Sequence, residues 1–161
     1  VVPRARQSCH HGPMSTDQRI VPTPQNSVWA ERTGTRQYLG HNARGAEVRI
    51  GTGPGEFTPG ELIKMALATC NSLSADHRLA KALGEDFEAN VIAATTKNEA
   101  EERYDAFDVQ LVADLSHLTP EQLDTLRQRV DAAVDRSCTV GHTIDRGART
   151  SLHLLDDSAS E

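Results

Sequence analysis

The chain has few aromatic residues, no long apolar run and no excess of positive charge. Aromatic side chains make up 4% of its 161 residues, so small and branched aliphatic side chains must build most of the core. No apolar run reaches the roughly 18 residues that a membrane-spanning helix needs. The formal net charge is -6, which argues against a basic nucleic-acid-binding surface. These absences favour one compact domain with closely packed elements, and they leave open a core that is shared across a dimer.

Two common types of catalytic or binding motif are missing as well. The glycine-rich stretch 51–55 is not followed by Lys-Ser or Lys-Thr, and Pro54 lacks an N–H donor, so the stretch does not match a phosphate-binding loop. No Gly-x-Ser-x-Gly nucleophile elbow occurs anywhere in the chain. The sequence therefore offers no sign of nucleotide binding or of serine hydrolase chemistry.

Cysteine is scarce, and its placement does not describe a secreted disulfide framework. The chain has three cysteines, Cys9, Cys70 and Cys138, and no apolar segment near its beginning that would act as a secretory signal. We therefore predict a cytoplasmic location. In a reducing compartment a cysteine pair is more often catalytic, redox-sensing or metal-binding than structural.

Residues 1–18 lack the periodicity expected of a helix or a strand. Met14 followed by Ser-Thr-Asp looks like an ordinary start site. We expect residues 1–18 to be a disordered tail or a segment added upstream of the natural start, and residues 19–161 to form a single domain. Cys9, His10 and His11 could form a metal-binding stub, but an unstructured tail is the simpler interpretation.

Three short segments with alternating polarity follow the tail. They are 28–32, 36–39 and 46–50, and the turn-forming stretch 40–45 separates the last two. This pattern predicts a three-stranded meander with one face in water.

A capping signature then predicts a long helix. Thr58 suits the N-cap, Pro59 suits the first helical position, and Glu61 completes a Thr-x-x-Glu capping box. No charged residue occurs from Met65 to Ala75, so the helix is expected to lie centrally and to end near Gly84.

The second half of the chain repeats this arrangement. Residues 88–96 and 104–115 predict a long hairpin, and Thr119-Pro120 opens a second helix that we expect to end at Gly141, just after Cys138. A last strand is predicted over 150–155. The resulting order, β-β-β-α-β-β-α-β, is of the α+β class. Its internal repetition would bring Cys70 and Cys138 together in space.

At these segments the chain resembles the OsmC/Ohr family of organic-hydroperoxide reductases. The resemblance rests on Thr58-Pro59-x-Glu61-Leu62 with an alanine-rich stretch ending in Cys70, and on Cys138-x-Val140 far downstream. Trp29 in the meander and the element order also fit, and the resemblance covers about residues 27 to 155.

The resemblance implies a fold, a partner and a reaction. The fold would be an intertwined homodimer in which two long helices cross between wrapped antiparallel sheets. Cys70 would be the peroxidatic thiol, and Cys138 the resolving thiol that closes an intramolecular disulfide. An organic hydroperoxide, alkyl or lipid, would be the substrate and a lipoyl group or a small thiol the reductant. No cofactor and no metal are implied.

The resemblance also implies an arginine that activates the thiolate and an acidic residue that holds this arginine. Arg36 is the first choice for the arginine, with Arg32 and Arg44 as rivals. The family's acidic residue directly follows the proline, where this chain has Gly60. Glu61 is the nearest carboxylate, although it also serves the capping box.

Several alternatives remain open at this point. Glu56 in the preceding loop could replace Glu61, and His142, four residues after Cys138, could assist that thiol. Cys70, Cys138, His142 and His77 could instead form a metal-binding module, although the close paired spacings of zinc sites are absent. Because of Gly60, the chain could also be a structural dimer that has lost efficient chemistry.

Overall fold

The structure is a computed structural model that describes residue 25 and residues 27–156. The expected tail at residues 1–18, including its Cys9-His10-His11 motif, lies outside these residues. The elements follow in the order β1 Val28–Gly34, β2 Gln37–Asn42, β3 Glu47–Ile50, α1 Pro59–Leu83, β4 Ala89–Asn98, β5 Arg103–Ala113, α2 Pro120–Ser137 and α3 Thr139–Arg146. All strand pairs are antiparallel, so the predicted mixed α+β class is confirmed.

The chain divides between Glu56 and Phe57 into two compact units, each described here by itself. The N-terminal unit is the predicted meander, with strand order β1-β2-β3. Strand β2 continues through the stretch that was expected to turn. Gly40 is buried in the sheet, where an added Cβ would lie 3.1 Å from Cγ1 of Val48, so this glycine serves close packing and not a turn. The turn itself falls at Gly45, whose φ is +85°.

The C-terminal unit is built on α1. The Thr58 hydroxyl accepts the N–H of Glu61 at 3.2 Å, and the Glu61 carboxylate accepts the N–H of Thr58 at 2.8 Å. The predicted capping box is therefore present, and it explains why the helix begins where it does. Gly84 follows the last helical residue, as expected.

Strands β4 and β5 form the predicted hairpin, and α1 and α2 pack together beside it. The core of this unit centres on Ala75, Leu79 and Leu126, which are buried. Partly buried apolar side chains surround them: Leu83, Phe87, Leu111, Leu115, Leu118, Val130 and Val134. Aliphatic residues dominate this list, as the shortage of aromatics requires.

Two expectations for the end of the chain are wrong. Helix α2 ends at Ser137 and not at Gly141, and a separate helix, α3, begins directly after Cys138. The segment predicted as a last strand, 150–155, has no regular structure. A strand requires a hydrogen-bonding neighbour, and among the described residues this segment has none; Leu152, Leu154 and Leu155 are exposed.

In the part of the chain that the structure describes, no helix has the length and apolar character needed to cross a membrane.

Candidate active site

The two cysteines shared by the predicted repeats meet inside the C-terminal unit. Cys70 lies near the middle of α1, and Cys138 lies at the break between α2 and α3. Cys70 is near enough to Cys138 to raise its pKa, the Cys138 thiol is bonded to Asn71, the residue next to Cys70, and both thiols are free. The prediction that these cysteines converge, although 68 positions apart in sequence, is therefore confirmed.

The two thiols differ in exposure. Cys138 is 1% exposed, whereas Cys70 is only partly buried. A reagent that enters the site will therefore meet the sulfur of Cys70 more readily. Buried cysteines are normally inert, whereas reactive ones combine partial exposure with a positively charged environment.

Polar groups fix the Cys138 sulfur from two sides. The thiol donates a hydrogen bond to the side-chain carbonyl oxygen of Asn71 at 3.0 Å, and its sulfur accepts the N–H of Gly141 at 3.3 Å. Through the second contact Cys138 serves as the N-cap of α3. A Cβ at position 141 would lie 3.2 Å from the sulfur, so glycine allows this close approach.

Burial raises the pKa of the Cys138 thiol above its ordinary value of 9.0, and the contact with Cys70 raises it further. The N–H groups of Gly141 and Val140 act in the opposite direction but do not outweigh burial. Cys138 is therefore a neutral thiol at neutral pH, which suits a residue that reacts second.

A cavity of about 380 Å³ reaches Asn71, the residue that binds the Cys138 thiol. Aliphatic side chains of β5 and α2 form most of its wall, together with two carboxylates; the lining residues are Asn71, Val109, Leu111, Val130, Asp131, Val134 and Asp135. The wall is thus divided between apolar side chains and polar groups, and neither Cys70 nor Cys138 is among its lining residues.

Glu61, a predicted site residue, is engaged in the capping box. Hydrogen bonds from Thr58 hold the pKa of its carboxyl below the usual range, so Glu61 is ionised at neutral pH. Any additional role in holding an arginine stays a prediction.

Position 60 is where the family's acidic residue was expected, and the structure explains its absence. An added Cβ at Gly60 would overlap with the hydroxyl of Tyr104 on β5. The Tyr104 ring packs edge-on against Phe107, and the amine of Lys64 lies 5.5 Å from its centroid. Tyr104 thus fills the space that a side chain at position 60 would need.

The candidate arginines and Glu56 belong to the N-terminal unit. Arg36 is in the β1–β2 turn with a φ of +60°, Arg32 is on β1, and Arg44 is in the next turn. Glu56 accepts hydrogen bonds from the Gln37 side chain at 3.0 Å and from a loop N–H at 2.8 Å, so it organises its own unit. The choice among the three arginines stays a prediction.

The histidines weighed as helpers or metal ligands have other surroundings. Nε2 of His142 donates to the backbone carbonyl of Asp135 at 2.7 Å, and His142 is not among the groups that shift the Cys138 pKa. His77 is exposed on α1. Over residues 27–156 there is no group of three or more His, Cys, Asp or Glu side chains that could hold a metal ion.

Sequence reasoning missed three residues at this site: Asn71, Tyr104 and Gly141. The position of Asn71 next to Cys70 in an uncharged helix was a usable signal, because a lone amide in an apolar stretch needs a partner. The roles of Tyr104 and Gly141 depend on contacts with residues elsewhere in the fold, so the sequence carries no signal for them.

Comparison with known proteins gives a consistent result. The family model described as "OsmC-like protein" matches residues 51–153. Uncharacterised proteins of Mycobacterium tuberculosis H37Rv and Mycobacterium bovis are each 40% identical to this chain over 134 residues, which cover 82% of this chain and 98% of theirs.

Solved structures show the same fold at low sequence identity. A protein from Aquifex aeolicus VF5 matches with a TM-score of 0.61 and 20% identity, covering 76% of this chain and 88% of its own. An OsmC-like protein of unknown function from Vibrio cholerae matches with a TM-score of 0.52 and 16% identity, covering 73% and 91%. These two likenesses concern the fold alone.

Proposed function

This chain belongs to the OsmC-like protein family, and we propose that it is a thiol-dependent peroxidase that reduces organic hydroperoxides with Cys70 and Cys138. The observation that carries the proposal is the proximity of a partly exposed thiol to a buried, protonated one whose pKa it raises. A pair of this kind can pass through a sulfenic acid to a disulfide without a metal or an organic cofactor.

The chemistry proceeds in two balanced steps. The Cys70 thiolate attacks the distal peroxide oxygen, the O–O bond breaks, and the departing alkoxide takes a proton to become an alcohol. Cys70 is then a sulfenic acid. The Cys138 sulfur attacks it, an S–S bond forms, the S–O bond breaks, and the hydroxyl leaves as water with the Cys138 proton.

Arg36 and Glu61 complete the proposed site. A guanidinium beside the Cys70 sulfur would stabilise its thiolate, and a carboxylate would orient the guanidinium. Support for Glu61 is its ionised state at the start of α1, the helix that carries Cys70.

We expect alkyl or lipid hydroperoxides to be preferred over hydrogen peroxide, as the resemblance to the family implies, and the four aliphatic side chains of the cavity beside Asn71 are candidate contacts for the alkyl group. Return to the dithiol state requires two electrons from a dithiol, such as a lipoyl group, or from small thiols. We expect this cycle to operate in the cytoplasm.

A homodimer is the proposed working form. Leu73 is 77% exposed although it lies in the uncharged part of α1, and Met65 on the same helix is also exposed. Exposed apolar side chains in the centre of a helix are typical of an interface between subunits.

The decisive experiment is a stopped-flow reaction of the reduced protein with cumene hydroperoxide and, separately, with hydrogen peroxide. We expect fast thiol loss with the organic peroxide, a Cys70–Cys138 disulfide by mass spectrometry, and no reaction in Cys70→Ser. In Cys138→Ser the first step should persist while the sulfenic acid accumulates. A rate no higher than that of a free thiol in solution would rule out the peroxidase.

One observation favours a second candidate function. Because Tyr104 fills the place of an acidic side chain at position 60, the thiolate could lack part of its activation. The chain would then be a structural or stress-response dimer with weak chemistry. Slow peroxide turnover in a folded dimer with two intact thiols would favour this alternative.

A further inference from the structure

The side chain of Asn71 has no part in the reaction described so far, yet it touches the sulfur that must react second. It is partly buried, it directly follows Cys70 in α1, and its carbonyl oxygen accepts the hydrogen bond of the Cys138 thiol at 3.0 Å. The N–H of Gly141 holds the same sulfur from another side at 3.3 Å. Two directional contacts therefore fix the position of one small side chain.

We propose that Asn71 is a positioning residue that aims the Cys138 thiol at Cys70 and keeps it protonated until resolution. The inference rests on the proposed function and explains why Cys70 reacts first and Cys138 second. Cys70 reacts with the peroxide, while Cys138 is held as a non-nucleophilic thiol by an acceptor one residue along the same helix.

The chemistry of the amide explains why asparagine suits this position. Its carbonyl oxygen accepts from a thiol and so favours the neutral form, whereas its NH₂ group donates and favours a thiolate. Rotation of the amide by half a turn exchanges these two faces. Asn71 can therefore hold Cys138 before deprotonation and stabilise it afterwards, which a carboxylate of the same shape cannot do.

Four ionisable residues of the described part of the chain bear on the Asn71–Cys138 hydrogen bond: Cys70, Asp131, Asp135 and His142. Cys70 faces Cys138 from α1, while Asp131 and Asp135 on α2 line the cavity that reaches Asn71. On α3 the His142 ring is turned to the Asp135 carbonyl. Among these ionisable groups, Cys70 acts on the Cys138 pKa. A titration of Cys138 without Cys70 therefore leaves burial, the N–H groups of Gly141 and Val140, and the hydrogen bond to Asn71, and the substitutions at position 71 separate the last of these from the others.

The test compares Asn71→Asp and Asn71→Ala, with Ser72→Ala on the same helix as the matched control. All proteins carry Cys9→Ser, so that the distal thiol does not interfere. In a Cys70→Ser background, the alkylation rate of Cys138 with iodoacetamide is followed against pH. Asn71→Asp should raise the Cys138 pKa and Asn71→Ala should lower it, each by about one unit. A merely structural role would not move the two variants in opposite directions.

The second measurement keeps Cys70 and follows a single pulse of cumene hydroperoxide at neutral pH. Sulfenic acid formation at Cys70 should stay within about twofold of the unsubstituted protein, while disulfide formation slows by about tenfold in both variants. Dimedone trapping should then detect the sulfenic acid in the variants. Ser72→Ala should match the unsubstituted protein in both measurements.

Two results would overturn the role of Asn71: a Cys138 pKa that fails to move in the stated direction in either variant, or disulfide formation at an unchanged rate in both. If the unsubstituted protein does not react with hydroperoxides at all, the proposed function fails. The titration of Cys138 then still decides whether Asn71 controls the thiol.

Discussion

At the scale of single residues, position 60 shows how a departure from a family pattern becomes interpretable once its neighbours are known. From sequence alone, Gly60 is only the absence of an acidic side chain. In the fold, the hydroxyl of Tyr104 occupies the space next to its Cα. The glycine and the tyrosine are therefore one structural feature contributed by α1 and β5, two elements far apart in the chain.

Because Gly60 and Tyr104 share space, we expect the effect of a substitution at position 60 on stability to depend on the residue at position 104. Gly60→Asp alone should destabilise the protein by about 1–3 kcal/mol, because the new side chain overlaps with the Tyr104 hydroxyl. Combined with Tyr104→Ala, the same substitution should cost less than the sum of the two single changes. Urea denaturation of the four proteins measures this coupling.

The control for this cycle is Tyr104→Phe, which removes only the hydroxyl and should leave room for Gly60→Ala. Strict additivity of Gly60→Asp and Tyr104→Ala would show that the two positions do not share space. A higher rate with cumene hydroperoxide in the double variant would further show that a carboxylate at position 60 promotes the chemistry.

Single residues also show which features of the site could be predicted from the sequence. The convergence of Cys70 and Cys138 was predicted from the repeated pattern of strands followed by a Thr-Pro-capped helix and a cysteine. The contact with Asn71 was not, because it joins residues 67 positions apart and depends on the exact angle between two helices. Local patterns identify reactive residues, whereas tertiary geometry selects the side chains that position them.

At the scale of elements, the starts of both long helices and the end of α1 at Gly84 were predictable, whereas the end of α2 was not. Thr58-Pro59 and Thr119-Pro120 both open helices with complete capping boxes, since the signal lies within four consecutive residues. The end of α2 was missed because the sulfur of Cys138 caps α3. Cysteine is not among the usual N-cap residues, so the sequence around Cys138 does not indicate that a new helix begins there.

The β1–β2 turn is the element that allows the role of Arg36 to be tested separately from stability. The φ of Arg36 is +60°, a conformation that costs an L-residue roughly 1–2 kcal/mol and glycine almost nothing. Arg36→Gly should therefore keep or slightly raise the thermal midpoint. It should also lower the rate with cumene hydroperoxide at least about tenfold, if the cation activates Cys70.

Arg32→Ala and Arg44→Ala are the matched controls, because each removes one exposed guanidinium from the same unit. They should leave the peroxide rate nearly unchanged. A normal rate in Arg36→Gly together with a large loss in one of the controls would transfer the role to that arginine.

At the scale of the whole molecule, the exposed apolar residues of α1 are the main feature that one chain does not explain. Leu73 lies two positions before Ala75, which is fully buried, yet it is 77% exposed. Covering such a side chain in an interface is worth about 1.5–3 kcal/mol. The uncharged part of α1 is thus apolar beyond the face that packs on its own core, which supports the proposed homodimer.

Leu73→Lys should accordingly shift the protein from dimer to monomer in sedimentation velocity at micromolar concentration. His77→Lys, another exposed position on the same helix, should leave the assembly unchanged. A dimer of undiminished stability in Leu73→Lys would place the interface elsewhere.

The proximity of Cys70 to Cys138 has a consequence for the lifetime of the protein itself. A disulfide between these positions would close a loop of 68 residues and restrict the unfolded chain, which is worth about 4 kcal/mol. Oxidised protein should thus melt about 10 °C higher than reduced protein and resist proteolysis longer. Cys138→Ser should show no such difference under oxidising conditions. Degradation would then preferentially remove molecules that have not recently met a peroxide.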